Sequence, residues 1–172
     1  MPTQFNELIP LLFHADVEFI IIGGVAARAH GSARLTDDLD IAYRRSNDNI
    51  KRIVDALASC EPYLRGAPPG LPFNWDVSTI RHGLNFTLIT RLGSIDLLGE
   101  VTGGGHYEDL LPHAVIREFY GCNCQCLDLP TLIKVKRAAG RPKDFEAIAE
   151  LEALVEEERR FVSDNSNQPI SG

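Results

Sequence analysis

The chain has 172 residues, a mass of 19.0 kDa, 44% hydrophobic residues and 24% charged residues. These proportions exclude a disordered, collagen-like or disulfide-scaffold protein, and the length fits one domain able to bury about 70% of its unfolded surface. The formal net charge is -7 and the pI about 5.2, which excludes attraction to nucleic acid through bulk charge; such a substrate would need a local basic patch. No apolar run approaches the roughly 18 residues of a membrane-spanning helix. The opening MPTQFNELIP has no basic segment followed by an apolar one, so a cytoplasmic protein without a membrane partner is expected.

In chain order, Phe5, Leu8, Ile9 and Leu12 form an apolar stripe that predicts a helix over 4–14, with Thr3 as its N-cap and Pro10 as a point of kinking. EFIII at 18–22 predicts a buried strand that runs into Gly23-Gly24 and a short helix over 25–30. A second strand is predicted at 39–44. Ser46 then caps a helix whose stripe is Ile50, Ile53, Val54 and Leu57. Residues 61–75 hold four prolines and two glycines and predict a loop, with Phe73 and Trp75 tucked into the core or edging a pocket.

A short helix from Asp76 to Gly83 leads into a hairpin of strands at 84–90 and 94–98. Gly103-Gly104-Gly105 predicts a break, and a second hairpin pairs Ala114–Phe119 with Cys122–Leu127. Cys122, Cys124 and Cys126 then share one strand face, and buried, reduced thiols are expected there. Two helices end the chain. The first covers 131–139 and stops at Gly140; the second starts near Pro142 and ends near Arg160. Residues 1–162 are thus expected to form a single α/β (α+β) domain, a mixed β-sheet flanked by helices with a helical C-terminal segment, and residues 163–172 a disordered tail.

The chemistry gathers at Gly23-Gly24, the thirteen residues that follow, and Asp38-Leu39-Asp40. Glycines at a strand-to-helix turn let an anion approach exposed N–H groups, and a helix N-terminus adds partial positive charge, so the segment reads as a phosphate cradle. Asp38 and Asp40 point to one face of their strand, while Leu39 and Ile41 point to the core. Two like charges on one face call for a cation, and hard oxygen ligands favour Mg²⁺. Asp96, inside the apolar run Ile95-Asp96-Leu97-Leu98, supplies a third carboxylate if its strand lies beside the first. Three carboxylates can hold two ions. Taken singly, the features have plainer readings: a tight turn for the glycines, a solvated sheet edge for Asp38 and Asp40, a turn cap for Asp96.

The stretch FIIIGGVAARAHGSARLTDDLDIAY resembles the signature of minimal nucleotidyltransferases of the DNA polymerase β superfamily, in which a glycine pair and a helix precede an Asp-x-Asp pair between apolar residues. A later strand in that family carries a third Asp, matched by Asp96. The spacing of Arg34, Thr36, Asp38 and Asp40 is most similar to the AbiEii-like toxin branch, as is the downstream block with Lys136, Arg141 and Asp144. The likeness spans residues 18–43, 84–99 and 128–152 and leaves 61–75 and 100–127 without a motif. The chain is short for that branch, so the acceptor does not carry over.

The resemblance implies transfer of a nucleoside monophosphate from an NTP to an acceptor hydroxyl, with two Mg²⁺ ions as cofactors. Asp38, Asp40 and Asp96 would be the metal ligands and catalytic carboxylates. Gly23, Gly24, Arg34, Thr36, Lys136 and Arg141 would bind the nucleotide, and Asp144 would support the two cations. Acceptors in view are tRNA, a protein or a small molecule such as an antibiotic, and the toxin reading adds a cognate antitoxin as partner. A domain that binds nucleotide or a partner without turnover is the non-enzymatic rival.

Residues 134–143 hold five basic side chains and 144–158 hold seven acids. A solvated helix pair is the plain reading of that pattern; cations reaching a triphosphate or a nucleic-acid backbone are the functional one. His30 is expected at a packing or helix-end position, and Phe73 and Trp75 in core packing rather than base stacking.

Overall fold

In the computed structural model, which describes residues 2–167, a seven-stranded mixed sheet runs through the molecule in the order β3-β4-β5-β2-β1-β7-β6. β1 (Phe19–Ile22), the run FIII, is an interior strand buried at all four residues. On one side β1 pairs antiparallel with β2 (Asp38–Tyr43), and on the other parallel with β7 (Cys122–Leu127). β5 (Gly93–Leu98) lies parallel beside β2 and antiparallel to β4 (Asn85–Thr90), which carries the two-residue β3 (Tyr63–Leu64) at the edge. β6 (Ala114–Phe119) forms the other edge, paired with β7. The mixed α/β architecture expected from the sequence is the one observed.

Local signals set the helix ends. Ser46 caps α3 (Asn47–Leu57) through Asn49 N–H at 3.3 Å, and Asp76 caps α4 (Val77–His82) through Thr79 N–H at 2.7 Å. Asp128 caps α6 (Leu129–Ala139) through Thr131 N–H at 2.9 Å, and Gly140 ends it at φ 64°. Thr3 does not cap α1 (Phe5–His14). Its hydroxyl instead donates to the Asp37 carbonyl and accepts from Ser94 N–H, stitching the N-terminus to the loop before β2 and the start of β5.

α1, α3 and α4 pack on one another in series, and a second series joins α2 (Gly23–Ala29), α6 and α7 (Phe145–Ser166). α5 (Tyr107–Leu110) lies in the connection to β6. The last helix continues past Arg160 to Ser166, so residues 163–166, read from sequence as tail, are helical; 168–172 lie outside the described residues. Within 61–75, Trp75 packs on the core and donates its indole N–H to the Val54 carbonyl at 2.9 Å, and Phe73 packs on the core edge-on to Tyr63. His30 sits at the C-cap of α2 with Nε2 2.9 Å from the Leu127 carbonyl.

The three β7 cysteines are buried and unbonded. Burial pushes the Cys124 thiol up to about 11 and the Cys126 thiol up to about 12, so both stay protonated at neutral pH. No helix among the described residues is long and apolar enough to cross a membrane.

Candidate active site

Two neighbouring strands build the acidic floor. Leu39 and Ile41 of β2 are fully buried, which turns Asp38 and Asp40 to the opposite face. Ile95 and Leu97 anchor β5 in the same way and free Asp96. The parallel register sets Asp40 directly across from Asp96, and Asp38 across from Ser94. The three carboxylates, up to 58 residues apart in sequence, thus meet on one face of the sheet.

Asp40 shows the cost of that gathering. Burial pushes its carboxyl up first, and the charges of Asp96 and Asp38 push it further, to about 7 from an ordinary 3.8. The nearby Asp96 carboxylate, as a hydrogen-bond acceptor, also favours the protonated form, while the Arg65 guanidinium pulls in the other direction.

The glycine pair fits tightly against these groups. Gly23, at φ +65°, opens α2 directly beside Asp40, and a Cβ there would collide with the Asp40 carboxylate. A Cβ on Gly24 would lie 2.7 Å from Thr36 Oγ1. The glycines therefore let the backbone approach side chains of the site itself. Gly24 also lines the cleft above the carboxylates.

That cleft has a volume of about 390 Å³ and lies between the sheet face and the α2, α6, α7 group, a size suited to a small-molecule ligand. Lys136, Arg141 and Lys143 bring cations to it, and Arg34 and Thr36 reach it from the loop before β2. Asp144 is buried and fixes two of the cations: Arg141 Nε donates to it at 2.7 Å, and Lys136 Nζ lies 3.8 Å away. Thr36 Oγ1 donates to the Asp38 carbonyl at 3.3 Å, and Arg34 pairs with Glu146 at 3.4 Å. Arg137 turns away and pairs with Glu152 on α7. A second hollow of about 390 Å³ backs onto the same residues, sharing Gly24, Asp40, Lys136 and Arg141 with the cleft and adding Gly23, Asn85, Glu100 and Thr102.

All ten residues singled out from sequence thus lie in or against this site, nine of them bordering the cleft directly (Gly24, Arg34, Thr36, Asp38, Asp40, Asp96, Lys136, Arg141, Asp144), with Gly23 behind Asp40. Two further features escaped that reading. Ser32 donates to Glu150 of α7 at the cleft wall, closing the loop after α2 onto the last helix. Arg65, just past β3, reaches Asp38 at 3.3 Å and Asp96 at 2.7 Å. Its only trace in the sequence is that it is the one basic residue in the proline-rich stretch 61–75.

Among the described residues, no group of three or more His, Cys, Asp or Glu side chains is arranged to hold a metal ion as it stands. The donor set is nevertheless suited to a hard divalent cation: three half-buried carboxylates on one face, and a single shared guanidinium as counter-charge. No protein-family model matches the chain, and no curated protein matches it.

Proposed function

We propose that this chain is a Mg²⁺-dependent nucleotidyltransferase that moves a nucleoside monophosphate from an NTP to an acceptor hydroxyl. The observation that carries the reading is the register of Asp40 against Asp96 on parallel strands, with Asp38 on the same face and a cationic wall across the cleft. An acid floor facing a basic wall suits a metal-bound triphosphate: carboxylates take the ions and cations take the phosphate oxygens. The resemblance of residues 18–43, 84–99 and 128–152 to minimal nucleotidyltransferases points the same way.

In this reading Asp38, Asp40 and Asp96 would hold the Mg²⁺ ions, whose chemistry when bound would be to acidify the acceptor hydroxyl and neutralise phosphate charge. Lys136 and Arg141 bind phosphate oxygens, and Asp144 aims them from below. Gly24, with no side chain, leaves room for the triphosphate, and Arg34 and Thr36 close its edge. Asp96 takes the acceptor proton as the acceptor oxygen bonds to the α-phosphorus. The bond from the α-phosphorus to its bridging oxygen breaks, and pyrophosphate leaves. Positioning and charge stabilisation supply the rate, with no covalent enzyme intermediate.

The test is transfer of label from each of the four α-labelled NTPs to tRNA, to protein and to small hydroxylated acceptors. Label on one acceptor class, lost in Asp40→Asn, supports the reading and names the acceptor. A tRNA or protein acceptor fits a toxin with a cognate antitoxin, and its expression then arrests growth unless Asp40 is replaced. A small-molecule acceptor gives transfer without arrest. Binding of NTP without transfer to any class supports the non-enzymatic rival.

A further inference from the structure

Arg65 occupies the place between carboxylates where a cation is needed. It leaves the sheet just after β3, at the edge, and its side chain crosses β4 to reach β5 and β2. Nη1 meets Asp38 Oδ1 at 3.3 Å, and Nη2 meets Asp96 Oδ1 at 2.7 Å. One planar fork thereby clamps two carboxylates of the triad, one oxygen from each. Its backbone is fixed: Arg65 N–H donates to the Thr87 carbonyl at 3.0 Å, and Ala67 N–H to the Leu64 carbonyl at 3.3 Å. The Tyr63 hydroxyl donates to the Pro68 carbonyl at 2.6 Å, which ties the following loop. About 30% of the side chain is exposed.

We propose that Arg65 is a built-in counter-cation that holds Asp38 and Asp96 together in the metal-free protein and is displaced when a divalent ion binds them. The inference rests on the metal-dependent reading above. Without Arg65, the carboxylates on this face would stand with no compensating cation in contact, and repulsion would splay Asp38 and Asp96. With it, the floor stays assembled, and an incoming ion must break two charge-assisted hydrogen bonds to enter. Arg65 is a positioning residue of the ion site and sets how much divalent cation the protein needs.

The test is direct titration with Mn²⁺ alone, at about pH 8, following free Mn²⁺ by its paramagnetic resonance signal. The samples are the wild-type chain, Arg65→Gln, Arg65→Lys and Asp40→Asn, each with its melting transition recorded. Loss of the competing guanidinium is expected to tighten Mn²⁺ binding by about tenfold in Arg65→Gln, the fold-change for roughly 1.4 kcal/mol of lost competition. Arg65→Lys, which keeps the charge and loses the fork, should fall between Arg65→Gln and wild type. Binding in Arg65→Gln that is unchanged or weaker, with wild-type binding abolished by Asp40→Asn, overturns the proposal and leaves the metal-dependent reading standing. If Arg65→Gln does not fold, Arg65→Lys decides: binding tighter than wild type supports displacement, and equal or weaker binding overturns it. Absence of Mn²⁺ binding in wild type and both Arg65 variants overturns the metal-dependent reading and this proposal together.

Discussion

Asp40 and Asp96 are register partners on adjacent parallel strands, and Asp40 is held near a pKa of about 7 by burial and by the two carboxylates beside it. In the proposed reading, a divalent ion bound here displaces the proton that Asp40 retains. Mg²⁺-dependent stabilisation should therefore strengthen as pH rises through about 7, and be small at about pH 5.5. Melting curves with and without Mg²⁺ across that range check this; a pH-independent Mg²⁺ effect would place the ion elsewhere.

The same group makes the metal-free protein pH-sensitive. Between pH 3.8 and about 7 the folded chain keeps a proton on Asp40 that the unfolded chain has released. The folded state binds more protons there, so the contribution of Asp40 is present in full below 3.8, declines through this window and is lost above about 7. Asp40→Asn removes the decline. Its melting temperature should lie nearest to wild type at about pH 4 and exceed it by a growing margin up to about pH 8, a difference of a few degrees. An equal difference at both pH values would contradict the assignment.

Asp144 is buried and faces Lys136 and Arg141, so its loss strands cations rather than merely removing a contact. Asp144→Ala should cost about 2 kcal/mol, reduced from a fully buried pair because Arg141 is largely in solvent. In the proposed reaction it should also weaken NTP binding. Denaturant unfolding together with NTP titration checks both effects. Unchanged stability with normal NTP binding would remove Asp144 from the site.

Much of this floor was legible because each Asp stands between residues with an obvious duty to the core. Leu39, Ile41, Ile95 and Leu97 fix which way the carboxylates point, and that pattern is local. The pairing of β2 with β5 was stated only as a condition, since strand order is decided by the whole sheet. Arg65 was not legible for the same reason: its strand is two places from β5 and three from β2 in the sheet, although Asp38 and Arg65 are 27 residues apart in sequence. Thr3 looked like a helix cap because its spacing is right, but the two partners at Asp37 and Ser94 are brought close only by the fold. The end of α7 was misjudged because VSDNS is polar without containing a helix breaker, and polarity alone does not end a helix.

Gly23 supplies a backbone test. Its φ of +65° and the adjacent Asp40 carboxylate leave no room for a side chain. Gly23→Ala should destabilise the chain by about 1–3 kcal/mol through strain and the forced movement of Asp40. Mn²⁺ binding should weaken with it. Gly121→Ala is the control, since a Cβ there meets nothing within 4 Å, only the positive φ is at stake, and the residue lies in the β6–β7 turn away from the carboxylates. If both variants bind Mn²⁺ as wild type does, Gly23 has no part in shaping the ion site.

The central claim is a joint site for metal and nucleotide on the Asp38, Asp40, Asp96 floor. The most direct measurement is a thermal-shift panel of wild type and Asp40→Asn with ATP, CTP, GTP and UTP, each with and without Mg²⁺. Ligand at about 100 times its Kd adds roughly 2.7 kcal/mol, a shift of several degrees. The account predicts a shift with at least one NTP that needs Mg²⁺ and is lost in Asp40→Asn. No shift with any NTP in folded wild-type protein, or a shift that survives Asp40→Asn, would contradict it.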